Sequence, residues 1–398
     1  MKNTSNKILY LSYDGMTDAL GQSQVLSYLV GLSKAGNQIT LISFEKKESF
    51  KKRGHTISNI CSSSTIKWVP LKYTSRPPVF STLYDIIKMR KTVGKFVETN
   101  IVHCRGYITA LVGLKMRQNL DIKLIFDMRG FWADEKLESG HWKGKIFKTV
   151  YNYFKKKESQ FFKFSDVIIS LTENGKEYIA SKYSIDRNKI KTIPTCVNLD
   201  VFESFNSDTR DRVRKELGIS LEEKVMIYSG SVGGSYNPQV ISEVYISFKR
   251  KYKQTKLIIL TKTIESSVDL DEFKGELIML SVNYNEVSNY LIASDLGLIF
   301  YTPGFSNIGR YPTKLAEYWA CGLPVVVFNK VGDTQELLNK FPQYGFYYFN
   351  KIELNNKLES FNLNVNKLAL RETATLEFSL KRGVLFYDNI YTELLRKS

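Results

Sequence analysis

Short apolar, β-branched runs alternate with segments of helical spacing along nearly the whole chain. Lys7–Tyr13, Gln38–Ser43, Ile66–Leu71, Ile101–Cys104, Lys123–Phe126, Val167–Leu171 and Ile190–Ile193 have the length and composition of buried strands. Between them, Gln22–Ala35, Thr82–Glu98, Thr109–Arg117 and Trp142–Phe164 repeat apolar residues at helical spacing. Strands that alternate with helices predict βαβ units on a parallel sheet. A turn-rich stretch, PTCVNLDVFESFNSD, interrupts the pattern near residue 200, and the pattern then restarts. Val225–Tyr228, Leu257–Leu260, Leu277–Leu280, Leu296–Phe300, Val325–Phe328 and Phe346–Phe349 read as strands. Gln239–Lys251, Glu286–Ala293, Thr313–Cys321 and Thr334–Asn339 read as helices, and Ser379–Arg396 closes the chain as one long amphipathic helix. The expected architecture is α/β, with two doubly wound, Rossmann-like domains at 1–200 and 201–378 and a terminal helix at 379–398. Open α/β sheets bind ligands at the carboxyl ends of their strands, so two such domains are expected to face a central cleft.

Charge adds an asymmetry to this picture. The net charge is +17, and residues 1–200 hold 33 Lys and Arg against 17 Asp and Glu, whereas the remainder holds 24 against 23. Either the first half faces something anionic, such as a phosphorylated lipid, an acidic membrane surface or nucleic acid, or it is a solvated basic surface. The opening residues lack the apolar core and cleavage site of a signal peptide, and no run of about eighteen apolar residues occurs. Cys61, Cys104, Cys196 and Cys321 follow no metal-ligand spacing. The chain therefore reads as cytoplasmic, without disulfides or structural zinc.

Three segments carry candidate chemistry. The first strand runs into YDGMTDALGQSQV, where Gly15 and Gly21 bracket a loop before a helix. Such a turn is either merely tight or a loop whose backbone approaches a ligand. The second is SDLGLIFYTPGFSNIGRYPTKLAEYWACGLPVVV, residues 294–327. A strand leads through a Gly-, Ser- and Asn-rich loop to a helix begun by Pro312 and Thr313, with threonine able to cap it. Arg310 and Lys314 beside that positive helix end suit a pyrophosphate. One turn on, Glu317 is a carboxylate among apolar neighbours, and ribose hydroxyls would satisfy it, as would a nearby lysine. The third is FDMRGFWADE, in which Asp127 and Arg129 follow a buried strand. Asp127 could orient or deprotonate an acceptor hydroxyl and Arg129 could grip a phosphate, or the two could form a loop-anchoring ion pair.

Residues 294–327 resemble the donor-binding signature of retaining family-four glycosyltransferases, enzymes of the GT-B fold. In its common form that signature places two glutamates eight positions apart before an A-C-G-x-P-V turn. Glu317 matches the second, the ribose ligand, followed by Ala320-Cys321-Gly322-Leu323-Pro324-Val325. Gly309 stands at the first, so the loop is similar to a subgroup with Pro-Thr-Lys before the final glutamate. The resemblance implies that Gly21 and Gln22 approach the donor phosphates and that Gly230 and Ser231 open the donor site. It further implies that the nucleotide base rests near Val282 and Asn283, and that Asp127 stands where many relatives place a reactive histidine. Relatives follow the glycine of YSGSVG with an arginine and, a few residues on, a lysine. Ser231 and the region of Asn237 lack both, which leaves the charge role to Arg310 and Lys314.

The implied activity is transfer of a hexose-type sugar from a UDP- or GDP-sugar to an anionic or lipid-linked acceptor in surface polysaccharide assembly. Configuration would be retained, with no metal and no cofactor; Asp269-Leu270-Asp271 reads as a solvated turn rather than a metal motif. In the basic helix 142–164, the aromatic stripe is expected to cover the first sheet. Lys155, Lys156 and Lys157 would then attract an acidic membrane or acceptor peripherally. Two rival readings are a GT-B nucleotide-sugar epimerase, which needs no acceptor surface, and a basic nucleic-acid-binding protein. No RNA- or DNA-binding motif occurs, so nucleic acid is not an expected partner.

Overall fold

The computed structural model describes residues 6–231, 238–261, 273 and 275–396. The chain divides into two compact units, Met1–Pro194 with Leu380–Ser398, and Thr195–Ser379. In the first unit, the strands Lys7–Ser12 (β1), Gln38–Glu45 (β2), Lys67–Lys72 (β3), Ile101–Arg105 (β4), Lys123–Asp127 (β5), Val167–Ser170 (β6) and Ile190–Thr192 (β7) form one sheet. Its order is β3-β2-β1-β4-β5-β6-β7, and every pairing is parallel. The second unit pairs Lys224–Ser229 (β8), Thr255–Leu260 (β9), Leu277–Leu280 (β10), Leu296–Phe300 (β11), Val325–Phe328 (β12) and Gly345–Tyr348 (β13) in the order β10-β9-β8-β11-β12-β13, again all parallel.

The unbroken apolar runs follow from this layout. A parallel sheet covered by helices on both faces buries both sides of each strand, so β4 and β11 are buried at every residue. The two orders also share a feature that matters for function. In each sheet the chain winds outward from a first strand and then restarts on its other side, between β1 and β4 and between β8 and β11. Loops leaving the carboxyl ends of such a pair diverge and open a crevice, the usual ligand position in open α/β sheets.

Several helices end where local chemistry stops them. The expected 82–98 helix runs Phe80–Val93 and is capped by Gly94, and the basic helix begins at Lys145 because Gly144 takes a positive φ of 90°. A helix at Lys47–Ser63 was not expected; only Gly54, Ile57 and Cys61 of it are buried, too few to set up an apolar period. The terminal helix Leu380–Arg396 packs within the first unit: Tyr387 stacks edge-on against Tyr28 with centroids 5.7 Å apart, and Asp388 accepts from Asn37 at 2.6 Å.

Candidate functional site

In the second unit the crevice between β8 and β11 is built by the helix Thr313–Ala320. Gly297 on β11 has no side chain, and a Cβ there would lie 2.3 Å from the Tyr318 ring. The ring therefore lies against the strand, and its Oη accepts the Ser229 N–H at 2.9 Å, at the end of β8. That contact fixes the helix against the crevice, and Lys314, one turn earlier, falls beside Gly230. Arg371 holds the other end of the helix, donating to the carbonyls of Ala320, Phe202 and Leu199. A cation at the carboxyl end of a helix is favourably placed.

Gly230 takes φ 145°, and a Cβ on it would lie 2.6 Å from Lys314 Nζ. The ammonium thus packs directly on the backbone of the turn. Lys314 donates to Tyr228 Oη at 3.1 Å, and Tyr228 donates onward to the Ser231 carbonyl at 2.7 Å. This short relay sets the shape of the turn after β8. Burial pushes the Lys314 ammonium down to about 8, against the pull of Glu317. Glu317 is 8% exposed and accepts from Tyr284 Oη at 3.2 Å. Burial pushes its carboxyl up to about 7, although the Tyr284 hydrogen bond and the Lys314 charge pull downward. Both groups are held away from their ordinary values in the direction that opposes ionisation, a signature common at functional sites.

Of the other expected donor-site residues, Arg310 and Thr313 lie at the start of this helix, and Val282 and Asn283 precede Tyr284. Pro312 takes the cap position and Thr313 is the first helical residue, so threonine does not cap the helix as expected. The Arg310 guanidinium lies over the Tyr301 ring, 5.6 Å from its centroid. Asn283 opens a short turn whose capping box uses its backbone N–H and side chain on Glu286. The N–H of Asn283 is therefore engaged, while Val282 before it is half-buried and the adjacent Tyr284 reaches Glu317. Asn237 and residues 269–271 lie outside the described residues. Among the described residues, no three His, Cys, Asp or Glu side chains cluster as metal ligands.

In the first unit, register places Ser12, Arg105 and Asp127 in one row at the carboxyl edge of β1, β4 and β5. Asp127 is 1% exposed. It accepts from Tyr387 Oη of the terminal helix at 3.0 Å, His103 Nε2 stands 3.6 Å away, and the Arg105 guanidinium 3.9 Å away. Burial alone would raise the Asp127 carboxyl, but Arg129, His103 and Arg105 outweigh it and hold it at about 2. Burial lowers His103, whose Nδ1 lies 2.8 Å from Tyr391 Oη. Burial favours the neutral imidazole there. Asp127 was read either as meeting an acceptor hydroxyl or as anchoring a loop through an ion pair, and in the structure it belongs to a buried network that fastens the terminal helix. Arg129 differs. It is only half-buried, takes a positive φ of 55° and reaches Gln24 at 3.5 Å. Left-handed backbone at a non-glycine residue is strained and is concentrated at functional positions.

The glycine loop is more tightly built than its sequence indicates. A Cβ on Gly21 would lie 2.0 Å from the Gly15 carbonyl oxygen, so the two ends of the loop touch. The buried Glu45 carboxylate ties the loop down, accepting from Met16 N at 2.8 Å, Thr17 N at 3.0 Å, Thr17 Oγ1 at 2.6 Å and Ser43 Oγ at 2.6 Å. The helix then continues through a π turn at Gln22–Leu26, an irregularity frequent at functional sites. Gln22 begins that turn and is half-buried.

The three lysines expected to share a membrane or acceptor face have separate environments. Lys155 bonds Asp134 at 2.8 Å and Glu158 at 2.5 Å. Glu158 is wholly buried and also accepts from Tyr107 and Tyr183. Lys155 therefore belongs to an internal ion cluster. Lys157 donates to Gln160 at 2.9 Å, and Lys156 is exposed.

Residues 21–201 match the family model described as Glycosyltransferase Family 4. The chain is 24% identical over 196 residues to the putative teichuronic acid biosynthesis glycosyltransferase TuaC of Bacillus subtilis (strain 168), covering 48% of this chain and 46% of that protein. The match thus spans about half the length of this curated relative. Among solved structures, a glycosyltransferase from Rickettsia africae ESF-5 superposes with a TM-score of 0.68 at 17% identity, over 99% of this chain and 100% of that one. Anabaena Alr3699/HepE in complex with UDP and glucose gives 0.66 at 14% identity, over 97% and 99%. The chain has the GT-B fold, with two parallel-sheet α/β domains.

Proposed function

We propose that this chain is a glycosyltransferase that moves a hexose-type sugar from a nucleoside-diphosphate sugar to an anionic or lipid-linked acceptor in surface polysaccharide assembly. The observation that carries the reading is the Lys314 ammonium packed on Gly230 at the β8/β11 crevice, with Glu317 one helical turn beyond. A cation on glycine backbone at the positive end of a helix suits a diphosphate. A buried carboxylate beside it suits ribose hydroxyls, which can replace the Tyr284 hydrogen bond. The similarity to TuaC supports polysaccharide assembly, and the likeness to a protein crystallised with UDP and glucose supports a UDP-sugar donor.

In this reading the acceptor hydroxyl oxygen bonds to the anomeric carbon as the bond from that carbon to the diphosphate breaks, and the hydroxyl proton passes to the departing diphosphate. The leaving oxygens gain charge, which Lys314, Arg310 and the helix terminus stabilise without rearrangement. Retention and independence from metal belong to the same reading and follow the family resemblance of residues 294–327. In the same reading Gly21 and Gln22 approach the donor phosphates, Arg129 grips a phosphate and Asp127 orients an acceptor hydroxyl. Ser231, Thr313, Val282 and Asn283 complete the donor set.

Thermal-shift screening against UDP, GDP and their sugars, followed by transfer assays, tests the reading. Glu317→Gln is expected to weaken nucleoside-diphosphate binding by one to two decades, the loss of a charge-assisted hydrogen bond of about 1.5–3 kcal/mol. It should melt no lower than the parent, because the carboxylate is buried against its preference for water. Nucleotide binding at parental strength in the folded variant would remove the ribose role. Gly230→Ala makes a second test, since its Cβ would displace the ammonium. Diphosphate affinity should fall about tenfold or more while affinity for the nucleoside alone stays the same. Equal losses for the two ligands would mean that Lys314 only supports the turn.

A further inference from the structure

One helix of the first unit is apolar on two faces. Phe80–Val93 buries Ser81, Asp85, Ile86, Met89 and Val93 on its inner side. On its other side Phe80, Leu83, Tyr84 and Ile87, at positions i, i+3, i+4 and i+7, are 71%, 52%, 56% and 49% exposed. The solvent side of a covering helix ordinarily carries charge, and a contiguous apolar stripe there marks an interaction surface.

The charge around the stripe has one sign. Arg90 and Lys91 continue the same face in the next turn, both exposed. The helix has a single acid, Asp85, which is fully buried and bonded to Lys88 at 2.6 Å and to Tyr13 Oη at 3.1 Å. The outer face therefore carries cations with no carboxylate among them. Tyr153 of the helix Lys145–Phe164 is 46% exposed. Ile146 and Lys156 of that helix are exposed as well. The whole unit is basic: residues 1–194 and 380–398 hold 37 Lys and Arg against 18 Asp and Glu, while Thr195–Ser379 holds 20 against 22. Among the described residues no helix is long and apolar enough to cross a membrane.

We infer that the outer face of the helix Phe80–Val93 lies on an anionic lipid bilayer. Phe80, Leu83, Tyr84 and Ile87 enter the boundary between headgroups and acyl chains, and Arg90 and Lys91 meet the lipid phosphates. An apolar stripe beside cations is the pattern of an interfacial helix. A second copy of the chain would bring two strongly basic units together, and a polyanion without an apolar phase would leave the stripe in water. The inference moves the lipid contact away from Lys155, whose charge is used internally, and it does not depend on the transferase reading.

The full chain is tested by co-sedimentation at low salt with vesicles of phosphatidylcholine, with and without phosphatidylglycerol. Binding is expected only when phosphatidylglycerol is present. Arg90→Gln with Lys91→Gln should weaken it about 30-fold, from a factor of about five per basic side chain near an anionic surface. Phe80→Ser with Ile87→Ser should weaken it about tenfold or more and make the remainder more salt-sensitive. Both pairs are exposed, so circular dichroism and melting should match the parent. Three results would each overturn the inference: no sedimentation with phosphatidylglycerol vesicles, parental binding by the Phe80 and Ile87 variant, or a dimer in solution that this variant dissolves.

Discussion

Replacing Lys314 with Met is expected to lower kcat/KM about 10²- to 10³-fold, the usual loss on removing one preorganised donor to developing negative charge, without weakening the fold. The stability half of the expectation rests on linkage. An ordinary lysine titrates near 10.4, and burial holds Lys314 at about 8. Its charged form is therefore disfavoured in the folded state. This penalty is fully present below about 8 and fades as pH rises toward the unfolded value. Met fills a similar volume without a charge, so the variant should melt at or above the parental temperature at pH 7. Lost activity with retained or improved stability separates a binding cation from a structural one.

The same residue makes donor binding pH-dependent. A bound diphosphate favours the charged ammonium, so binding above pH 8 takes up a proton, and affinity should fall about tenfold per pH unit there. On the acid side, Glu317 titrates at about 7, and its protonated form accepts ribose hydroxyls less well. Affinity should therefore peak between these two values, and in the Met variant the alkaline limb should vanish while the acid limb stays. An alkaline limb that persists in the variant would assign that titration to another group.

The architecture was legible because both sheets are parallel and buried on both faces. Strands such as Ile101–Arg105 and Leu296–Phe300 stand out as unbroken apolar runs, and the two-part pattern follows from their spacing. Helices with few buried residues gave no such signal, and Lys47–Ser63 went unseen for that reason. At the candidate site, Glu317 and Lys314 were legible through local spacing, since one helix carries both. The residues that orient them were not. Tyr228 reads as an ordinary strand residue and Tyr284 as a loop aromatic, and only the fold brings their hydroxyls to Lys314 and Glu317. Asp127 shows the opposite limit. A carboxylate at a strand end looks accessible in sequence, but its partner Tyr387 lies 260 positions away on the terminal helix. Lys155 sits in a run of three lysines that suggests a solvated face, while the Asp134 and Glu158 carboxylates that claim it become neighbours only once the helix packs.

Glu45 carries the largest stability effect expected in the first unit. Its carboxylate is 3% exposed and accepts four hydrogen bonds from Met16, Thr17 and Ser43. Glu45→Ala removes every acceptor at once and leaves those donors buried and unpaired, at a cost of about 3–5 kcal/mol. Gln at this position keeps one carbonyl oxygen but turns an amide N–H₂ toward groups that are themselves donors, so it should restore only part of the loss. Because the bonds hold the Gly15 loop in the first unit, the damage should be selective. Melting of the first unit should come earlier, and transfer should fall steeply, while binding of a nucleoside without phosphates stays within about twofold of the parent. Differential scanning calorimetry with and without nucleoside, read beside the transfer rate, checks all three. If Glu45→Ala melts like the parent and transfers at the parental rate, the carboxylate does not hold the loop. If nucleoside binding falls together with transfer, the effect is not confined to the first unit.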